Sequence, residues 1–327
     1  MGIKYLNKFI QSHCNDSVKQ IHLSDLSNKK IVIDTSIYLY RYISDNTLLE
    51  NFYLMISVFR KYNIIPLFVF DGKPPQEKKD LLKKRKQNKQ LAKETYDNLK
   101  ETLDDVMDDS DKTDILIRMD CLKKEFVKIH HTDISNVKLL LQSYGVSYVD
   151  APGEADKLCA KLVCKNKAYA CLSEDMDLFV YGCTRVLRYL SLFKTQAVMY
   201  DMIGILNELQ LSLDEFKQIC IVSGTDYNID NDNTNLYQSL KYFKQFKKYI
   251  NTTIKVVKDN TFFDWLENNT NYITNICDLY NISMLFDLKM MNDYNKYENI
   301  KIINGPINIS NLKQIMELEN FIFIDDV

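Results

Sequence analysis

Three short apolar runs, each closed by an acid, set the frame of the chain. Ile31-Val32-Ile33 runs into Asp34, Ile64 to Phe70 runs into Asp71-Gly72, and Ala168 to Leu172 runs into Ser173-Glu174-Asp175. Runs this short and continuous predict strands buried on both faces, as in a parallel sheet covered by helices. Helical periodicity fills the spaces between, from Leu48 to Lys61 ahead of the second run and from Gly153 to Lys165 ahead of the third. The alternation predicts an α/β fold around a central, mostly parallel sheet. Ligands of such sheets sit beyond the carboxyl ends of the strands, where all three acids fall.

Charge adds an insertion to this frame. Residues 73–93 carry nine basic residues against two acids, and residues 94–120 carry ten acids against three basic residues. The stretch from 73 to about 135 has no Gly, and Pro only at its start, so it reads as a helical insertion between two strands. A second basic zone spans 241–258 without a single acid, and Lys241, Lys244 and Lys248 share one helical face by their spacing. An Asn- and Asp-rich loop precedes it. The balance of 42 basic and 44 acidic residues leaves a net charge of −2, so only the distribution of charge points towards nucleic acid.

An apolar fraction of 46% excludes general disorder. The longest apolar run is too short to span a membrane, and no secretory signal pattern opens the chain. Eight cysteines are scattered singly with no C-x-x-C pair, and the four histidines do not pair with them. They are expected to be reduced core thiols of an intracellular protein, not zinc ligands.

Seven acids stand beside turn signals or strand ends: Asp34, Asp71, Glu154, Asp156, Asp175, Asp177 and Asp226. Carboxylates gathered at one sheet edge repel and raise one another's pKa unless cations sit among them. Hard divalent ions suit such oxygen donors, and two ions about 4 Å apart can clamp the attacking and leaving oxygens of a phosphodiester. The seven are therefore expected to converge within a few ångströms around a pair of cations. Asp175 and Asp177, two apart, share one side if the segment is extended. Glu154 and Asp156 cannot both face inward from a regular helix, which leaves an irregular first turn or two different ions.

Six segments then match a known family in order. Met1-Gly2-Ile3 with Leu6 and Phe9-Ile10 opens the match, followed by Ile31 to Ser36 and Val69 to Pro75. Ala151-Pro152-Gly153-Glu154-Ala155-Asp156, Ser173 to Asp177 and Ser223-Gly224-Thr225-Asp226-Tyr227 complete it. The chain resembles the flap endonucleases of the structure-specific 5′-nuclease superfamily over residues 1 to about 230. That resemblance implies a PIN-like nuclease core over residues 1–230 with a helical arch at about 73–135. Residues 231–327 would form a C-terminal helical duplex-binding region and tail. It implies a flap endonuclease and 5′-exonuclease that hydrolyses branched DNA during replication, repair or recombination.

By the same resemblance the seven acids are metal ligands for two Mg²⁺, with Mn²⁺ as a substitute, and Asp175 is also catalytic. Lys78 and Arg85 contact the scissile phosphate as catalytic cations, Tyr40 stacks on a base, and Gly2 lies near the DNA. Departures matter too. The loop Ile229 to Asn235 has no glycine, which puts K⁺ binding in doubt and leaves Lys241, Lys244 and Lys248 as candidate phosphate contacts. No sliding-clamp peptide is visible; Gln210 to Phe216 matches in part and reads better as the start of an amphipathic helix. The short chain and biased composition resemble a divergent member from a large DNA virus, acting as a monomer in the nucleus or a viral replication compartment. An exonucleolytic repair enzyme or junction resolvase of the same superfamily is the alternative. A non-catalytic nucleic-acid-binding relative and an RNase are weaker ones.

Overall fold

A computed structural model describes residues 2–103, 109–228, 234–252, 261–290, 292–321 and 323. Its strands are β1 (Val18–His22), β2 (Lys30–Asp34), β3 (Ile65–Phe70), β4 (Ser147–Asp150), β5 (Ala170–Leu172), β6 (Arg185–Ser191) and β7 (Gln196–Asp201). They form one sheet in the order β1-β7-β6-β5-β2-β3-β4. The pairings β2–β3, β2–β5, β3–β4 and β5–β6 are parallel, whereas β1–β7 and β6–β7 are antiparallel.

The three acid-closed runs are β2, β3 and β5, the centre of the sheet. After its first residue each of β2 and β3 is buried throughout, and β5 is buried from end to end, which is why these strands read as unbroken apolar runs. The other four went unpredicted. They lie towards the edges, are only partly buried along their length and mix polar residues into the pattern, as Val18–His22 does. In register Ile33 pairs with both Phe68 and Leu172, so Asp34 and Ser173 end neighbouring strands at one level. The chain runs from β2 to β3 on one side of β2 and later returns to β5 on its other side. This is the reversal of strand order at which such sheets open a crevice.

The α-helices among the described residues are α1 (Leu6–His13), α2 (Thr35–Ser44), α3 (Leu48–Lys61), α4 (Lys79–Leu103), α5 (Asp109–Glu125), α6 (His131–Ser143) and α7 (Ala155–Cys164). They continue with α8 (Asp177–Val180), α9 (Met202–Leu209), α10 (Leu213–Ser223), α11 (Leu236–Thr252), α12 (Phe262–Asn269), α13 (Ile276–Leu285) and α14 (Ile309–Met316). No helix among the described residues is long and apolar enough to cross a membrane.

The chain divides into two compact units. One is Met1–Asp34, Val58–Pro74 and Ser147–Ile303; the other is Thr35–Ser57, Pro75–Val146 and Asn304–Val327. This division differs from the boundary expected at residue 230. The reason is packing: Phe216 of α10, Phe243 and Phe246 of α11, and Phe262, Phe263 and Trp265 of α12 join the same core as Ile10, Leu162 and Phe179. In the second unit α4 and α5 form the expected helical insertion. Tyr96 meets Phe126 edge-on with ring centroids 5.4 Å apart, and Lys89 donates to the Val127 carbonyl at 2.9 Å. There the chain after Ile303 closes back on α6, where Asn308 N–H donates to the Ser143 carbonyl at 2.7 Å.

Five of the eight cysteines, Cys14, Cys159, Cys171, Cys183 and Cys220, are buried. Burial pushes the Cys14 and Cys159 thiols up to about 11, as suits buried core thiols. Gln210 caps α9 in a left-handed conformation, and Ser212 caps α10 reciprocally with Glu215 while Phe216 is buried, so Gln210 to Phe216 does begin an amphipathic helix.

Candidate functional site

A chain of hydrogen bonds links the acids at the carboxyl ends of β2 and β5. Ser173 Oγ donates to Asp34 Oδ2 at 2.9 Å, Asp175 N–H donates to Ser173 Oγ at 3.1 Å, and Asp177 N–H donates to Asp175 Oδ1 at 3.0 Å. The segment is a tight turn, not an extended strand: Asp177 starts α8. Asp175 and Asp177 are thus brought together by a side-chain-to-backbone bond instead of by strand alternation. Asp34 and Asp177 are buried and Asp175 is partly exposed.

Gly2 completes this edge. A Cβ placed on it would stand 2.8 Å from Asp177 Oδ1 and 3.0 Å from Asp175 Oδ1, so the carboxylates would have to shift, and its φ of +76° is a glycine conformation. Only hydrogen lets the N-terminus lie against both acids.

A second turn brings three more. Ala151 N–H bonds to the Phe70 carbonyl and Gly72 N–H to the Gly153 carbonyl at 2.7 Å, extending the β3–β4 ladder beyond its strands. A Cβ on Gly72 would collide with the Ala151 carbonyl at 2.1 Å, so the close approach requires glycine. Asp71 Oδ1 then accepts from Ala155 N–H at 2.7 Å at the first turn of α7. Glu154 is the extended residue that precedes α7, and Asp156 lies inside its first turn with Oδ1 on Lys157 N–H at 2.6 Å. The question raised by their spacing is answered by this geometry: Glu154 is not helical, so the two acids need not diverge as two helical positions would. Glu174 stands apart. It pairs with Arg188 at 3.3 Å and accepts from Tyr189 N–H.

Tyrosines back this edge. Tyr227 O–H donates to Glu154 Oε2 at 2.9 Å, and Lys157 Nζ is 3.6 Å from the same oxygen and 5.5 Å from the Tyr227 ring centroid. Burial, then the nearby Glu154 charge, pushes the Tyr227 phenol far up, so it stays a donor. Tyr181 is shifted up by burial, with Asp156, Tyr227, Asp177 and Glu154 as its charged surroundings, which ties the two acid turns together. Tyr294, from the 3₁₀ segment Asn292–Asn299, is pushed up by burial and then by Asp156 and Glu154. Asp226 precedes Tyr227 and is partly exposed. Of these supports only Lys157, at i+3 from Glu154, had a local sequence signal. Tyr294 lies 140 residues from Glu154 along the chain and is delivered by the fold alone.

Tyr227→Phe removes the donor to Glu154 with little change of shape. Divalent-ion affinity is expected to fall about tenfold, the scale of an outer-shell partner, and stability by about 1 kcal/mol. Calorimetric Mn²⁺ titration and thermal melting check the two effects separately.

The remaining candidates fall in other places. In the second unit, Lys78 ends a 3₁₀ turn, Gln76–Lys78, and is buried, while Arg85 lies half-buried within α4. Seven residues apart, they are carried not by one regular helix but by a turn and the helix that follows it. Tyr40 is 44% exposed on α2, between the buried Tyr38 and Tyr42, with Lys89 Nζ 4.7 Å from its ring centroid. It is therefore no core tyrosine. In the first unit, Lys241, Lys244 and Lys248 all lie exposed on α11, opposite buried Phe243 and Phe246. Lys247 instead pairs with Glu215. Residues 229–233 of the glycine-free loop, on which K⁺ binding turns, lie outside the described residues.

Among the described residues, no three Asp, Glu, His or Cys side chains surround one point closely enough to hold an ion by themselves. The donor set fits Mg²⁺ even so. It consists of hard oxygens, and Mg²⁺ keeps several waters and takes one or two carboxylates.

Known proteins share the sequence and the fold of this chain. The XPG N-terminal domain model matches residues 1–92 and the XPG I-region model residues 145–226. The chain is 33% identical over 247 residues to flap endonuclease 1 of Lodderomyces elongisporus and 34% identical over 248 residues to that of Aedes aegypti, each match covering 69% of this chain. It spans 61% and 62% of the length of those two relatives. In fold it is similar to the catalytic core of Rad2 solved with a DNA substrate, with a TM-score of 0.67, 20% identity, and 97% and 95% of the two chains covered. It is likewise similar to flap endonuclease-1 from Methanococcus jannaschii, with a TM-score of 0.56, 20% identity and 98% of each chain covered.

Proposed function

Since the chain belongs to the flap endonuclease family of XPG-type nucleases, we propose that it is a structure-specific hydrolase of DNA phosphodiesters, cutting as a flap endonuclease and 5′-exonuclease at branched junctions. The observation that carries this reading is the hydrogen-bonded edge Asp34–Ser173–Asp175–Asp177, sealed by Gly2 and neighboured by the Asp71–Ala155 and Glu154–Tyr227 turns. Carboxylates braced in this way beside the N-terminus suit the binding of cations that take a phosphate.

Two Mg²⁺ ions held by these acids would supply water activation and neutralise charge on the phosphate. The chain's own residues do the rest. Ser173 and the Asp177 N–H fix the orientation of Asp34 and Asp175, and Tyr227 fixes Glu154. Lys78 and Arg85 are the cations for developing phosphate charge, and Tyr40 offers a base-stacking face. Lys241, Lys244 and Lys248 take duplex phosphates without reading sequence, in place of a K⁺-binding loop. The nuclease works as a monomer, without a recognisable clamp peptide, inside the cell where DNA is replicated or repaired.

End-labelled flap, gap, nick, splayed-arm and four-way DNA incubated with Mg²⁺ provide the test. Cuts next to the branch, favouring flap over blunt duplex, are expected, and preference for the four-way substrate would make it a resolvase. Equal cutting of flap and blunt duplex would overturn the structure-specific reading.

A further inference from the structure

Tyr5 is held where a bulky residue is costly. It precedes α1 with φ 68° and ψ −6°, a left-handed conformation, and its side chain makes no capping bond there. Cβ crowds the backbone in that region, so strain of this kind in a β-carbon-bearing aromatic needs a compensating use. The ring is not used for the core, because it is 47% exposed. Instead it meets Tyr237, itself 52% exposed, with centroids 6.0 Å apart and planes tilted by 43°. Lys4 Nζ stands 5.2 Å from the Tyr5 centroid.

The position of this pair gives it a purpose. Tyr237 opens a single face of α11 that continues through Lys241, Lys244 and Lys248, at helical offsets of four, seven and eleven residues. From Tyr237 to Lys248 is about 16 Å along the helix, roughly five nucleotides at duplex spacing. At the other end Tyr5 is three residues from Gly2, so their Cα atoms lie within about 11 Å. Gly2 in turn abuts Asp175 and Asp177. The aromatic pair therefore joins the start of the lysine face to the N-terminal segment that abuts the acids, with Lys4 beside Tyr5 and Lys241 one turn from Tyr237.

We propose that Tyr5 and Tyr237 form a stacking platform for an unpaired nucleobase of the bound DNA, with Lys4 and Lys241 on its flanking phosphates. This rests on the DNA nuclease reading above and adds to it a base-contacting subsite on the duplex-facing side of the acids. Half-exposed aromatic rings interleaved with lysines are the sequence-tolerant way to hold a base that has left its stack. Such a base exists only where a duplex ends or branches, so the subsite favours junctions over continuous duplex.

The test is equilibrium binding of fluorescent 5′-flap DNA in EDTA, read by anisotropy over a salt series, with thermal melting of each protein. Tyr5→Gly and Tyr237→Ala are each expected to weaken binding roughly tenfold, with an unchanged dependence of log Kd on log salt. Tyr5→Phe should bind like the wild type. Tyr5→Gly should melt no lower than the wild type, because glycine accepts the left-handed conformation. Lys241→Ala serves as the contrast, since losing one phosphate contact flattens the salt dependence by about one. Affinity within twofold of wild type in Tyr5→Gly overturns the platform. So does weakened binding that comes with a lower melting temperature or a flattened salt dependence, which would make the pair a brace for α11. A wild-type protein that fails to bind flap DNA at all overturns the nuclease reading, and the platform with it.

Discussion

Asp175→Asn is expected to reduce Mg²⁺-dependent flap cleavage by roughly a thousandfold, the upper scale for losing one preorganised electrostatic group at a developing charge, while leaving the fold intact. The substitution is isosteric. Asp175 Oδ1 accepts from Asp177 N–H, and an asparagine carbonyl can accept the same bond. What disappears is one negative charge at the carboxylate edge. DNA affinity measured in EDTA should hold or rise, because a charge that repels phosphate has gone. Single-turnover cleavage, anisotropy and melting together separate these effects. Cleavage within tenfold of wild type would remove Asp175 from the catalytic set.

The acids were legible because each follows a feature that sequence records well. Asp34 and Asp71 close strands that are buried on both faces, and an uninterrupted apolar run announces such a strand. Ser173 to Asp177 follow a third. The flanking strands Val18–His22 and Gln196–Asp201 carried no such run, since a half-buried strand needs only alternate apolar residues and here even the alternation is broken. The arrangement inside the site was less legible still. Spacing alone placed Asp175 and Asp177 on one side of an extended segment, but the hydroxyl of Ser173 and the carboxylate of Asp175 compete for local N–H groups and turn the chain instead. Glu154 and Asp156 show the converse: the spacing argument excluded a regular helix over both and left an irregular first turn or two different ions, and Glu154 is extended just ahead of α7.

Residues delivered by long-range packing left no trace at all. Tyr294 reaches the acids from a 3₁₀ segment in the C-terminal third, and Tyr5 meets Tyr237 across more than two hundred residues of chain. The packing of the C-terminal helices left no trace for the same reason. The aromatic residues of α11 and α12 have periodicities that announce helices, yet nothing in a periodicity states that their partner is the core of the sheet and not one another.

Gly2→Ala concentrates the whole arrangement into one methyl group. Its Cβ has nowhere to go: Asp177 Oδ1 at 2.8 Å, Asp175 Oδ1 at 3.0 Å and the Asp177 backbone nitrogen at 3.2 Å surround the position. Asp177 N–H is engaged with Asp175, so the turn cannot yield at one residue without moving the other. The strain is added to that of a non-glycine residue at φ +76°, about 1–2 kcal/mol. A shift of the two carboxylates by as much as 1 Å is worth about a hundredfold in rate, so cleavage should fall by about that factor. The melting temperature should fall by only a few degrees. Binding of flap DNA in EDTA should be nearly preserved, because the Lys241, Lys244 and Lys248 face on α11 is untouched. Near-normal cleavage by Gly2→Ala would mean that the N-terminus does not lie against the acids during the reaction. Parallel loss of DNA binding and stability would mean instead that Gly2 serves the fold.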